Sequence, residues 1–208
     1  MTETPAPITL DYRLLKSALV TASTDKFRPV LRSIAVGRLA TGEPVAVSTD
    51  SYILTATSPG EIPPSALPSS DELILVPTGV VKRAIEAKLP VTIESLDFGG
   101  KATYGETSET WRGPDGSQYP DYRILIPDAL APCDVVLDSR FLAMLDKVAA
   151  AIADRARDAR YWQSWGSGEG SPLKPTIWTH RGEMSDIRAM VLVMPVNPAK
   201  FPTSPWGA

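Results

Sequence analysis

The sequence predicts an α+β fold in which one pattern, a strand followed by a helix and then two or three strands, occurs three times. Near the start of each round, apolar residues at helical spacing follow a short apolar run. After each helical segment come stretches with strand periodicity, rich in β-branched residues. The 20 prolines fall mainly between these segments. Each round spans roughly 60–75 residues, so the repetition is one of structural pattern rather than of sequence.

The first round begins with a predicted strand at 8–10 and a helix at about 11–22, where leucine and alanine recur on one side of the turn. The segments FRPVLRSIAVGR and PVAVSTDSYILTATS follow as strands. The tripeptide Thr41-Gly42-Glu43 supplies the turn between them. The first unit is therefore a strand, a helix, and then two or three strands.

The second round follows a Pro/Ser-rich loop at 60–70. ELILVP is predicted as a strand and TGVVKRAIEAK as a short helix, with Thr78 as its N-cap. Three strands, VTIESLDF, KATYGET and TSETWRG, are separated by turns that contain glycine. The same order of elements is thus repeated.

The third round opens with CDVVLD, predicted as a strand at 133–138. A helix is predicted from the N-cap Ser139 through about residue 160. Strands are predicted around YWQSW, PTIWTH and IRAMVLVMP, and the tail at 199–208 is predicted to be extended.

Composition excludes several classes of protein. Apolar residues make up 43% and charged residues 22% of the chain, which is typical of a folded globular protein. The N-terminal region lacks a secretory signal, and no apolar run approaches the ~20 residues needed to span a bilayer, which predicts a cytoplasmic protein with no membrane partner. With one cysteine, Cys133, and one histidine, His180, neither an internal disulfide nor a Cys/His metal cluster can form. We expect no metal and no cofactor.

Enzymatic interpretations have little support. The glycine-rich segment at 166–171 lacks the Lys-Ser/Thr of a phosphate-binding loop and does not open a helix, so a turn is favoured. Cys133 has no basic partner close in sequence, and His180 could approach it only through folding. The acidic residues show no metal-ligand spacing on a common scaffold. They are Asp121, Asp128, Asp134 and Asp138. The sequence predicts a protein that is not an enzyme.

Several short strings together resemble the bacterial and phage β sliding clamps, the β subunit of DNA polymerase III. The segment at 118–127 is similar to the string that closes a domain in that family, and the segment at 191–196 is similar to its C-terminal strand. Four further strings resemble the family in the same order along the chain. The six strings are FRPVLRSIAV, STDSYILTA, LVPTGVVKRAI, QYPDYRILIP, VVLDSRFLAMLDKVA and VLVMPV.

The resemblance implies the DNA-clamp fold, with repeated β-α-β-β-β half-domains that carry helices on one face and antiparallel sheets on the other. Residues 1–128 would form a complete domain similar to the family's middle domain. Residues 129–198 would form a half-domain similar to the second half of its last domain, followed by the tail. The implied function is that of a processivity factor on duplex DNA, bound without sequence preference.

The implied protein partners are a DNA polymerase, other proteins that carry clamp-binding peptides, and a clamp loader. The alternative is a clamp-derived interaction protein that never closes a ring and instead captures such peptides or modulates host replication.

The resemblance also implies a groove that accepts a linear peptide, and apolar and methionine side chains suit such a surface. Ser51, Tyr52 and Ile53 stand where the family usually has glycine, histidine and arginine, which puts binding of standard peptides in doubt. The alternative is that 193–196 is the end of a core strand. The groove residues would be Thr49, Ser51, Tyr52, Ile53, Leu54, Pro127, Val193, Met194, Pro195 and Val196.

Basic residues on or next to the three predicted helices are candidates for DNA contact. The net charge of −3 argues against binding by total charge but leaves a local basic face open. Acidic neighbours such as Asp11, Glu86 and Asp146 keep an ordinary solvated helix face as the alternative. The candidates are Arg13, Lys16, Lys82, Arg83, Lys88, Arg140, Lys147, Arg155 and Arg157.

A homo-oligomer is expected from the geometry of the family. Clamp rings are assembled from six domains, each made of two half-units, and this sequence offers three half-units. Four chains would therefore supply one ring. The third unit would leave a sheet edge uncovered, and such edges tend to be paired in trans. The alternative is a monomer in which YWQSW and the tail fold over that face.

Overall fold

The computed structural model describes residues 5–114, 118–126, 131–132, 139–153, 161–166, 175–181 and 186–194. The three predicted rounds are present, each as a β-α-β-β-β unit. The first contains β1 (Ile8–Leu10), α1 (Tyr12–Leu19), β2 (Ser33–Arg38), β3 (Pro44–Thr49) and β4 (Ile53–Ser58). The second contains β5 (Ile74–Pro77), α2 (Thr78–Glu86), β6 (Val91–Leu96), β7 (Gly99–Tyr104) and β8 (Thr107–Arg112). The third contains β9 (Ala131–Pro132), α3 (Ser139–Ile152), β10 (Tyr161–Gly166), β11 (Thr176–Arg181) and β12 (Arg188–Val193).

Helix boundaries differ in detail from the prediction. The helix α1 is capped by Asp11 and ends at Leu19, earlier than predicted, because the N–H groups of Val20 and Thr21 already donate to carbonyls three residues back. The assignment of Thr78 as N-cap was wrong. Pro77 is extended and occupies the cap position without a side-chain hydrogen bond, so Thr78 is the first helical residue of α2.

Strand exchange links the first two units. One sheet has the order β1-β6-β7-β8, so the first strand of unit one completes the sheet of unit two. The other sheet has the order β5-β2-β3-β4-β12-β11-β10-β9. The first strand of unit two, β5, therefore pairs with β2 and completes the sheet of unit one. The third unit keeps its own first strand, since β9 pairs with β10 at Pro132 and Ala131. The edge expected to be uncovered is therefore partly covered within the chain.

The third unit joins the first through their last strands. β12 pairs antiparallel with β4 over six residues, from Ile53 opposite Val193 to Ser58 opposite Arg188. On the face of the sheet that carries the helices, α1 lies between the other two, because one flank of α1 packs against α3 and the other against α2. All three helices thus lie on the same side of the eight-stranded sheet, which agrees with the predicted fold class.

Two apolar clusters sandwich this sheet. The inner cluster contains the buried faces of the helices together with alternate residues of the strands, including Ile53 and Val193. The outer cluster contains the opposite residues, including Leu54 and Leu192, and is covered by loops that carry Ile62, Tyr119 and Tyr122. A hydrogen bond of 2.9 Å from the Tyr122 hydroxyl to the Pro68 carbonyl ties these two loops together.

Several predictions fall on positions outside the described residues. These are the strand at 133–138, the continuation of the third helix over 154–160, the glycine-rich segment after Gly166, the domain boundary at 128 and the tail at 199–208. Among the described residues, no helix is long and apolar enough to cross a membrane.

Candidate functional site

A tight turn between β3 and β4 forms one side of the candidate groove. The Asp50 Oδ1 atom accepts hydrogen bonds from the N–H groups of Tyr52 and Ile53 at 2.9 and 3.0 Å. The Thr49 hydroxyl donates to the Ile53 carbonyl at 2.8 Å and accepts from the Ser51 N–H at 3.1 Å. Ser51 has a φ of +85°. The side-chain bonds hold this conformation and leave Tyr52 66% exposed.

The end of β12 meets this turn. The N–H of Met194 donates to the Tyr52 carbonyl at 2.9 Å. Leu54 lies opposite Thr49 on one neighbouring strand and opposite Leu192 on the other. Since cross-strand partners project to the same face, these side chains lie on the outer face of the sheet. Met194 packs against the same outer cluster, as do Leu125 and Ile126.

Two of the proposed groove residues point the other way. Ile53 and Val193 are each 1% exposed and belong to the inner cluster beneath the helices. Successive strand residues alternate between faces, so these two are part of the helix-side core, which is what the core-strand alternative predicts for Val193. Pro127, Pro195 and Val196 lie outside the described residues.

The structure adds two residues that the sequence interpretation missed. The Arg28 Nη1 atom donates to the Ser51 hydroxyl at 2.8 Å, joining the loop after α1 to the turn. Next to it, Phe27 is 82% exposed. The string FRPV could have indicated these two residues, because it places an aromatic residue and an arginine in the loop that follows the first helix. Only the fold shows that this loop meets the turn before β4.

The basic residues of α1 and α2 have different environments. Lys16 and Lys82 are exposed, and Lys88 follows α2 with a φ of +54°. Arg13 forms an ion pair with Asp11, with 2.8 Å between Nη2 and Oδ2. Burial raises the pKa of the Asp11 carboxyl, but the hydrogen bonds from Arg13 outweigh it and hold that pKa below its usual value. Part of the Arg13 charge is therefore already neutralised.

Arg83 is directed at the edge of the four-stranded sheet. Its Nε atom donates to Glu109 Oε2 on β8 at 3.1 Å, and the Tyr104 hydroxyl donates to Oε1 of the same carboxylate at 2.8 Å. The hydrogen bond from Arg83 lowers the pKa of Glu109. Arg140 and Lys147 are exposed on α3, whereas Arg155 and Arg157 lie outside the described residues.

Comparison with known proteins places this arrangement in a known fold. No protein-family model and no curated protein matches the sequence. A Caulobacter crescentus β sliding clamp superposes with a TM-score of 0.57 at 16% identity, covering 95% of this chain and 67% of that one. A Bartonella birtlesii clamp gives 0.55 at 16% identity with the same coverages. The DNA polymerase III β subunit of Borrelia burgdorferi gives 0.52 at 13%, covering 95% and 65%. The chain has the sliding-clamp fold.

The chain spans about two thirds of the length of these clamps. The sliding-clamp fold agrees with the resemblance of the six strings to the β sliding clamps.

Proposed function

We propose that the chain acts as a clamp-like processivity factor, which holds replication proteins at duplex DNA through a groove beside the joint of β4 and β12. The observation that carries this proposal is the convergence at that joint. There the buried Thr49 and Leu54 and the half-buried Met194 lie on the outer face of the sheet, next to the exposed Tyr52 turn. An apolar surface with a methionine adapts to varied apolar side chains.

The clamps with this fold also bind small molecules. The Bartonella birtlesii clamp is bound to griselimycin, and the Borrelia burgdorferi subunit is in complex with a natural product. On this proposal, the groove of this chain would accept a linear peptide from a DNA polymerase or another replication protein. Because Arg28 and Phe27 flank the turn, the preferred peptide would differ from the standard one.

On this proposal the chain performs no catalysis. DNA is held by exposed lysines of the helices, which contact phosphates without reading bases. Lys16, Lys82 and Lys147, which are exposed on the three helices, would take this role. Four copies would supply the twelve half-units of a ring, and a clamp loader would then be a further partner.

The groove is tested with Met194→Asp. A set of fluorescent clamp-binding peptides with varied apolar side chains is titrated and the anisotropy is measured, with griselimycin as a second probe. We expect binding by the natural chain and its loss in Met194→Asp. Leu96→Asp is the control, since Leu96 is 45% exposed on β6 in the other sheet. Equal binding by both variants, or no binding by the natural chain, would refute the groove.

One observation favours the second candidate, an interaction protein that captures clamp-binding peptides without forming a ring. β9 pairs with β10 of its own unit, whereas β1 and β5 are both exchanged. Because β9 already covers the edge of β10, the third unit does not need a strand from a second copy of the chain to complete its sheet. Native mass spectrometry separates the two functions, because a closed oligomer supports the first and a monomer that still binds peptide supports the second.

A further inference from the structure

The last strand of the chain leads directly to the candidate groove. β12 runs antiparallel to β4 and ends at Val193, opposite Ile53. The next residue, Met194, donates its N–H to the Tyr52 carbonyl at 2.9 Å. Residues 195–208, called the C-terminal segment below, therefore begin beside the turn between β3 and β4.

Large apolar side chains are exposed at this place. Phe27 is 82% exposed and Tyr52 is 66% exposed. The hydrogen bond from Arg28 to Ser51 holds the loop that carries Phe27 against the turn that carries Tyr52. Met194 is half-buried against the outer cluster and adds an adaptable apolar side chain. Apolar side chains grouped on a surface in this way mark an interaction site.

The C-terminal segment has the composition of a linear apolar ligand. Its large apolar side chains are Phe201 and Trp206, and its one charged residue is Lys200. Proline favours extended conformations that lose little entropy on docking. The prolines of the segment are Pro195, Pro198, Pro202 and Pro205. Such a peptide suits an aromatic and methionine surface.

We propose that the C-terminal segment docks on the surface formed by Phe27, Tyr52 and Met194 of the same chain. Phe201 and Trp206 are the side chains that pack there. The segment then competes with partner peptides for the groove. This inference rests on the proposed function for the identity of those partners, whereas the docking itself is a property of the isolated chain.

The covalent link favours docking within one chain over docking on a second copy. A chain extends by about 3.3 Å per residue, so Phe201 can lie anywhere within ~20 Å of Met194. A ligand tethered through a short linker has an effective concentration on the order of 1 mM. A second copy at micromolar concentration supplies far less of the same segment.

Self-occupation lowers the affinity for every competing peptide by the same factor. At an effective concentration on the order of 1 mM, a segment with a dissociation constant of about 100 µM leaves the surface free about one tenth of the time. Partner peptides would then bind the natural chain about tenfold more weakly than a chain without the segment.

Fluorine NMR tests the docking without DNA or any partner peptide. The chain is labelled with 5-fluorotryptophan, and the Trp206 signal is assigned with Trp206→Phe. We expect this signal to differ from that of a free peptide of residues 197–208 and to move to the free position in Tyr52→Asp. The matched control is Phe98→Asp, because Phe98 is 83% exposed on the turn between β6 and β7 of the other sheet.

Three results of this measurement would overturn the inference. The first is a Trp206 signal at the free-peptide position in the natural chain. The second is an equal displacement of the signal by Tyr52→Asp and Phe98→Asp. The third is a signal that moves to the free position on dilution, because the segment would then bind a second copy of the chain.

The competition is measured with the fluorescent peptides of the groove test. We expect about tenfold tighter binding by a chain that ends at Val196 and by the double variant Phe201→Ala, Trp206→Ala. Lys200→Ala is the control and should bind as the natural chain does. Equal binding by the natural and shortened chains overturns the competition and leaves the groove standing. A docked Trp206 without binding of any partner peptide would instead refute the proposed function alone.

Discussion

At the scale of single residues, hydroxyl groups join α1 to the sheet beneath it. The Thr57 hydroxyl donates to the Leu14 carbonyl at 3.1 Å, and the Ser48 hydroxyl donates to the Ala18 carbonyl. Both hydroxyls are fully buried, and α1 supplies the acceptors that they need. Thr55 is also fully buried on β4, but its hydroxyl has no partner among the described residues.

This contrast gives a prediction. Thr57→Val should lower the free energy of unfolding by about 0.5–1.5 kcal/mol, because it removes a buried hydrogen bond while keeping the shape of the side chain. Thr55→Val should have no effect or stabilise, since it removes a buried hydroxyl that lacks a partner. Urea denaturation of the two variants compares them directly. A larger loss for Thr55→Val than for Thr57→Val would contradict the described bonding.

At the scale of elements, α3 and β12 attach the third unit to the rest of the molecule. Leu145 of α3 is 3% exposed and lies in the inner cluster with Leu14 of α1. On the same helix, Leu142 is 52% exposed. The continuous sheet and shared core make the third unit dependent on the first, although it forms its own β-α-β-β-β pattern.

Leu145→Ala should therefore destabilise the whole molecule by about 2–5 kcal/mol, the usual range for a leucine removed from a core. Thermal unfolding followed by tryptophan fluorescence and by circular dichroism should show a single shifted transition. Leu142→Ala, on the exposed side of the same helix, should change stability by only about 0.5 kcal/mol or less. Two separate transitions would show that the third unit folds on its own.

At the scale of the whole molecule, lysines lie both on the helices and on the opposite face of the sheets. Lys16 lies on the central helix, whereas Lys101 lies on β7, where alternation places it on the face away from the helices. Lys101 also lies 3.5 Å from the Glu94 carboxylate. If DNA passes along the helices, Lys16 should contribute to DNA binding and Lys101 should not.

The prediction is that DNA association weakens steeply with salt and shows no base preference. Lys16→Glu should weaken binding and reduce the slope of log affinity against log salt by about one. Lys101→Glu, which changes the net charge equally, should leave the slope unchanged. Binding is measured on circular and linear duplexes between low and moderate salt. Equal effects of the two variants would indicate attraction to total charge rather than a helix-lined path.

The order of strands and helices could be predicted from the sequence because it depends on local periodicity. Residues spaced for a helix follow each short strand, so α1, α2 and β10 to β12 were placed close to their observed positions. The error at Thr78 has a local cause as well, since a proline at the preceding position already ends the strand and provides the cap. Of the predicted groove residues, Leu54 and Met194 lie on one face of the sheet, and their role in binding a peptide stays a prediction.

By itself, then, the sequence determined the repeated β-α-β-β-β units, the absence of a Cys/His metal cluster, and the strings that resemble the clamps. The tertiary structure alone decided that β1 joins the sheet of the second unit and β5 joins the sheet of the first, whereas β9 pairs within its own unit. It also decided that Ile53 and Val193 face the helices. Pairing between distant strands depends on which edges meet once the cores are buried, and periodicity within one strand carries no information about its neighbour. The contact between Arg28 and Ser51 follows from that same long-range packing.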